Sequence, residues 1–249
     1  MRTAFFSKPS VHAMARVSGF AYLAYSILGV FITMGPSDQI WGEVTAASLS
    51  AYSTTDVLLY RTGLLAETGM YLFVMISAAA MYSYLRHVGP GLAAIGGYCR
   101  LAESIIGAAF IIFAYAALAI LTRPDLITDL PDETRYALIK LFLHLKGYSI
   151  FFLLIIMSAG ALMYYVLFFK SRFIPRWLSV WGIFTYTVVG MGSIAIILFP
   201  ALTQWIMYIF LPGALFEFVV GFWLLFGGIN TSAWDQIQRA TPTDTPQTN

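Results

Sequence analysis

The chain has 249 residues, of which 59% are hydrophobic and only 10% charged, with a formal net charge of +2. A soluble domain carries roughly 25% charged residues, so a water-soluble fold is excluded, and a small net charge without any Lys/Arg-rich run excludes nucleic acid as a partner. The solvent this composition demands is a lipid bilayer.

Residues 1–16 form a basic leader containing Arg2, Lys8 and Arg16, and the first apolar span runs from Val17 to Met34. No small-residue cleavage site follows, so it reads as an uncleaved helix rather than a signal peptide. Gly35 to Asp56 is polar, with Pro36, Asp38, Glu43 and the Ser/Thr-rich stretch Ser48 to Thr55, and reads as a loop. A second span, Val57 to Leu85, is broken by Arg86-His87-Val88-Gly89-Pro90-Gly91, and a third follows from Leu92 to Leu121. Thr122 to Lys140 holds Asp125, Asp129, Asp132 and Glu133, with Pro124 and Pro131 interrupting any continuous helix, and is the second large loop. The fourth span, Leu141 to Phe169, leads into the basic turn Lys170-Ser171-Arg172. A fifth runs from Trp177 to Phe199 and stops at Pro200, and a sixth occupies Leu202 to Gly228. The expectation is an all-α polytopic integral membrane bundle of about six transmembrane helices. It forms a single domain over residues 17–228, followed by a polar tail, residues 229–249, that is expected to be disordered.

Lys and Arg set the orientation. With the N-terminus inside, the inner segments hold Arg2, Lys8, Arg16, Arg86, Lys170, Arg172, Arg176 and Arg239, against Arg123, Arg135 and Lys140 outside. Both termini are therefore expected in the cytoplasm. The long loops after the first and third spans do not correspond, so the two halves are not read as a repeat.

Six charged groups remain inside spans: Arg61 and Glu67 in the second, Arg100 and Glu103 in the third, Lys146 in the fourth and Glu217 in the sixth, with His144 beside them. A charge at the bilayer centre costs about 2.5–3.5 kcal/mol on insertion scales, so all seven are expected to face the bundle interior as a polar cluster. At about 1.5 Å rise per residue, Glu67 and Glu103 lie about 15–18 Å deep, near the midplane. Arg100 and Glu103 share a helix face at i, i+3. Pro212-Gly213 stands one turn before Glu217, where a proline frees a backbone carbonyl.

The histidines, His12, His87 and His144, lie in separate segments without metal-ligand spacing, so no metal and no haem is expected; His144 with two glutamates is the one combination that could ligate an ion. Phosphate-loop, dinucleotide and hydrolase-elbow patterns do not occur, and no cofactor is implied. The lone Cys99 builds no disulfide within one chain. Gly190-Met191-Gly192 and Gly227-Gly228 read as close helix packing, and the abundant Tyr and Trp as interfacial anchors and packing.

The run Phe173-Ile174-Pro175-Arg176-Trp177-Leu178-Ser179-Val180-Trp181-Gly182 resembles the basic turn and fifth-helix start of the domain-of-unknown-function-4386 family of bacterial polytopic membrane proteins. Arg16-Val17-Ser18-Gly19 with Tyr22-Leu23, Arg100-Leu101-Ala102-Glu103, Gly160-Ala161-Leu162 with Tyr164-Tyr165 before Lys170-Ser171, and Pro212, Glu217 and Trp223-Leu224 fit the same pattern, so the resemblance spans Arg16 to Gly228. It implies a six-helix bundle in the cytoplasmic membrane of a bacterium and carries no catalytic residues.

Three functions fit these residues. The first is binding or moving a small or amphiphilic ligand, or a proton, at Arg61, Glu67, Arg100, Glu103, His144, Lys146 and Glu217. The second is an intramembrane enzyme acting on a lipid-soluble substrate, for example an acid-initiated isoprenoid cyclase with Glu67 or Glu217 as proton donor. The third is a structural or interaction protein in which the charges only lock helices together. The sequence leaves the oligomeric state open.

Overall fold

The computed structural model describes residues 10–34, 54–123, 125 and 130–240, and no strand occurs among them. Helix α1 spans Val11–Met34, α2 Thr54–Leu85, α3 Pro90–Thr122, α4 Asp132–Ser171 and α5 Arg176–Leu198. A 3-10 turn over Pro200–Trp205 leads into α6, Ile206–Phe222, which widens into a π-turn over Trp223–Gly227 before α7, Thr231–Ala240. In lipid no water satisfies the backbone, so each apolar run must close its own hydrogen bonds as helix. Local chemistry sets the ends. Pro90 sits in the first turn of α3, where its missing N–H is harmless, and Pro131 and Pro175 immediately precede α4 and α5. Asp132 and Glu133 open α4 and Lys170 closes it, each in the sense that the helix dipole favours.

Five helices are long and apolar enough to cross a bilayer. A sixth unit, Leu211–Gly227 with Thr231–Arg239, bends by 76° between its arms and makes six when taken as one span. Successive helices pack in chain order, and α6 closes the ring against both α1 and α5. Side chains on the outside are apolar, as with Leu65 at 72% and Phe226 at 74% exposure, whereas Ser18, Ser104, Ser193, Glu67, Arg100 and Glu103 are buried. That inversion is what a lipid solvent requires, and the chain is a multi-pass α-helical membrane protein.

Two crossings depend on the absence of a Cβ. A methyl group at Gly19 would collide with the backbone of Leu224 and Leu225, and one at Gly160 would stand 3.0 Å from the Gly96 carbonyl oxygen and 2.8 Å from Cys99 Cβ. Close backbone approach of this kind substitutes for the hydrophobic drive that lipid cannot supply between helices. Gly190 fits the same role, since a Cβ there would lie 3.0 Å from that of Ser158. Gly228 does not: its φ of 65° ends the π-turn, so it serves a turn.

The α2–α3 turn, the α4–α5 turn, the start of α1 and the end of α6 share one end of the bundle, called here the tight-turn end; His87 packs on Trp234 there, and Trp234 on Phe173. Helices α2, α3 and α4, with 32, 33 and 40 residues, outrun the others. At about 1.5 Å per residue they reach about 48–60 Å, well beyond a hydrocarbon core of about 30 Å. A second apolar cluster of Val57, Tyr60, Ala114, Leu118, Leu121 and Ile139 binds them at the far end.

Several expectations are corrected. The stretch from Asp132 to Lys140 is helix rather than loop, because Ile139 is buried against α2 and α3 and Arg135 reaches the Ile120 carbonyl at 3.4 Å. Likewise α2 begins at Thr54 and α1 at Val11, inside the stretches assigned to the first loop and the leader. The segment from Leu202 starts as a 3-10 turn. Residues 231–240 of the tail fold as α7, with Ala233, Trp234 and Ile237 packed on the core. The rest of the leader, most of the first loop, Asp129 and residues 241–249 lie outside the described residues.

Candidate functional site

The seven predicted residues separate into two buried groups and two exposed side chains. Arg61 and His144 are exposed, and the His144 Nδ1 meets the carbonyl of Lys140 at 2.7 Å on its own helix. Helical phase explains both corrections: at about 100° per residue, Arg61 lies about 240° from Glu67 and His144 about 200° from Lys146. Among the described residues no three of His, Cys, Asp and Glu converge as metal ligands, so His144 and two glutamates do not form such a group.

The first group is Glu67 on α2 and Lys146 on α4, an ion pair of 2.7 Å. Glu67 is buried while the Lys146 side chain is 26% exposed. Glu67 stands thirteen residues from the start of α2 and eighteen from its tight-turn end, about 20 and 27 Å, in the middle part of a helix longer than the hydrocarbon core.

The second group is central. Glu217 on α6 accepts hydrogen bonds from Ser26 Oγ on α1 at 3.0 Å and from the Tyr186 hydroxyl on α5 at 3.2 Å. Tyr165 on α4 donates to the Tyr22 hydroxyl on α1 at 3.1 Å, and Tyr22 in turn bonds Tyr186. A phenol donates one proton, so the chain has one direction: Tyr165 to Tyr22 to Tyr186 to Glu217. It ties four helices together. The rings are fixed by packing, with Tyr165 stacked on Tyr186 at 5.6 Å and edge-on to Phe216 at 5.0 Å.

Beside this chain, Arg100 and Glu103 pair across one turn of α3 at 2.7 Å, with both side chains buried. Their contact is close but off-line, an ion pair rather than an aligned hydrogen bond. The Arg100 guanidinium stands 5.7 Å from the Tyr25 ring centre and interacts electrostatically with Tyr22, Tyr186 and Glu217. The Tyr25 hydroxyl, Ser158 Oγ and Thr185 Oγ1 are buried without a hydrogen-bond partner among the described residues. Formally, the central group sets two carboxylates against one guanidinium, while the Glu67–Lys146 pair is balanced.

A small cavity of about 10 Å³ lies at its heart, lined by Tyr22, Ser77, Ala78, Arg100, Tyr164 and Tyr165 with two further apolar residues. Across Ala78 lies a groove of about 490 Å³ between α2 and α3, walled by Met75, Ile76, Tyr82, Gly97, Tyr98 and Leu101 and facing the bilayer side of the bundle. Tyr164 lines the cavity, its hydroxyl bonded to the Ala78 carbonyl at 3.0 Å, and a Cβ on the groove residue Gly97 would be 3.2 Å from that hydroxyl. Two other hollows, of about 430 and 410 Å³, lie at the α4–α5 turn and beside His144.

Sequence reasoning missed the tyrosines as polar partners by reading them only as interfacial anchors and packing. The signal was present in Ser18, Tyr22, Tyr25 and Ser26, which recur at helical spacing on one face in mid-span.

A family described as a domain of unknown function (DUF4386) matches residues 17–228. No curated protein and no solved structure matches the chain.

Proposed function

The chain belongs to the DUF4386 family, and from that premise we propose that it binds an amphiphilic small molecule taken from the bilayer, with the apolar body in the α2–α3 groove and the polar head turned toward Arg100 and the tyrosine chain. One observation carries this reading: the apolar groove and the polar cavity share Ala78 as a common wall, and the Tyr164 hydroxyl on the cavity side bonds the Ala78 carbonyl. Apolar volume with a few convergent polar groups is how small-molecule sites are built, and here the volume opens to lipid rather than water. The surplus carboxylate in the central group leaves room in the charge balance for one proton or one cationic headgroup. The Glu67–Lys146 pair, which lines neither, is assigned a structural role in fixing α2 against α4. The orientation that accompanies this reading has both termini on the cytoplasmic side of a bacterial inner membrane, following the Lys/Arg asymmetry.

Native mass spectrometry of detergent-purified protein tests the proposal. Wild type is compared with Gly97→Val, which fills the groove floor, and with Glu217→Gln, which keeps the hydrogen-bonding shape and removes the charge. A discrete adduct retained by wild type and lost from both variants is the expected result. Equal retention by all three proteins refutes the site.

A further inference from the structure

At the tight-turn end, the α4–α5 turn and the segment after α6 enclose a hollow of about 430 Å³ whose lining includes Arg172, Phe173, Arg176, Trp223, Gly228 and Asn230, and no carboxylate. Its two walls are tied together, since the Asn230 N–H donates to the Phe173 carbonyl at 2.9 Å. Gly228, at φ 65° and ψ −148°, makes the bend that brings Asn230 there, and such a backbone is almost confined to glycine.

Arg172 occupies the left-handed position that ends α4, at φ 57°. Glycine is the usual residue there, and a side chain costs stability. The sequence nevertheless places an arginine there, with its side chain exposed. Arg176 also lines the hollow, with its guanidinium over the Phe169 ring at 5.2 Å. Neither arginine has a carboxylate partner among the described residues. Exposed Trp177 and Trp223 flank the same turn, and indole rings are the side chains enriched where headgroups meet acyl chains.

We propose that this hollow binds a phosphate oxyanion at the membrane surface, with Arg172 and Arg176 as its ligands. Guanidinium groups present paired N–H donors that match phosphate oxygens, and basic pockets at helix ends are where anionic headgroups dock. The chemistry is shared by a phospholipid headgroup and by free phosphate, and the experiment separates them.

Full-length protein in a mild detergent is supplied with phosphatidylglycerol, with phosphatidylcholine or with inorganic phosphate. Retention is read by native mass spectrometry and protection by the unfolding temperature. The variant is Arg172→Gly/Arg176→Gln; glycine relaxes the left-handed position, so the fold is retained while both cations are removed. Wild type is expected to retain phosphatidylglycerol over phosphatidylcholine by roughly tenfold or more, and the variant to lose that preference with its ligand-free unfolding temperature unchanged or raised. Protection of wild type but not the variant by inorganic phosphate alone upholds the site and assigns it to a soluble anion. Equal phosphatidylglycerol retention by wild type and variant, or no anion preference in wild type, overturns the proposal.

Discussion

Removing one partner of the Glu67–Lys146 pair is the most demanding test of how this bundle carries charge. At 2.7 Å the pair has a gross attraction of about 6 kcal/mol for an effective dielectric of about 20. Desolvation of Glu67 offsets much of it, so replacing both partners by neutral side chains of similar size is expected to cost about 1 kcal/mol or less. Single changes behave differently. Lys146→Met strands a buried carboxylate, a situation worth about 3–5 kcal/mol in a fully buried pair. With the lysine 26% exposed, the lower end of that range, about 3 kcal/mol, applies. Glu67→Gln leaves a half-buried ammonium that can turn toward solvent, and about 1–2 kcal/mol is expected. The cycle Glu67→Gln, Lys146→Met and the double variant, followed by equilibrium unfolding in mixed micelles with tryptophan fluorescence, should therefore give a coupling energy of about 3–5 kcal/mol. A coupling below about 0.5 kcal/mol, the value of an exposed pair, would show that water or headgroups already screen Glu67 and that the structural role assigned here is wrong.

The same unfolding assay distinguishes two tyrosines three residues apart. Tyr22→Phe breaks the hydroxyl chain at its centre and is expected to cost about 1–3 kcal/mol, whereas Tyr25→Phe removes an unpartnered buried hydroxyl and should be neutral or stabilising. Gly160→Val forces α3 and α4 apart and should cost about 1–3 kcal/mol or more, while Gly147→Ala, with nothing within 4 Å of the new methyl, should be neutral or stabilise by up to about 1 kcal/mol. Trp234→Ala removes the ring that holds α7 against His87 and Phe173, so trypsin cleavage after Arg239 should accelerate severalfold in a time course; an unchanged rate would mean that Ala233 and Ile237 hold the helix without it.

The sequence alone determined the class of the protein and most of its helices, because long uncharged runs between Gly/Pro breaks admit one solution in lipid. It also located the inward charge, buried at Glu67, Arg100 and Glu103 and half-buried at Lys146 and Glu217, since insertion energetics act on single residues without reference to partners. The far ends of α2, α3 and α4 were not legible in it. There, polar and acidic residues such as Asp132 and Glu133 look like loop, and only the packing of Ile139 and Tyr136 against neighbouring helices makes them helix. For the same reason α7 escaped: its sequence is polar, and Trp234 acquires a partner only when the tight-turn end assembles. Which charges meet was decided by rotation of each helix about its axis, and that rotation is fixed by contacts between helices far apart in the chain. It sends Arg61 and His144 outward, pairs Glu67 with Lys146 and Glu103 with Arg100, and brings Tyr22, Tyr165 and Tyr186 from three different helices into one hydroxyl chain that ends on Glu217.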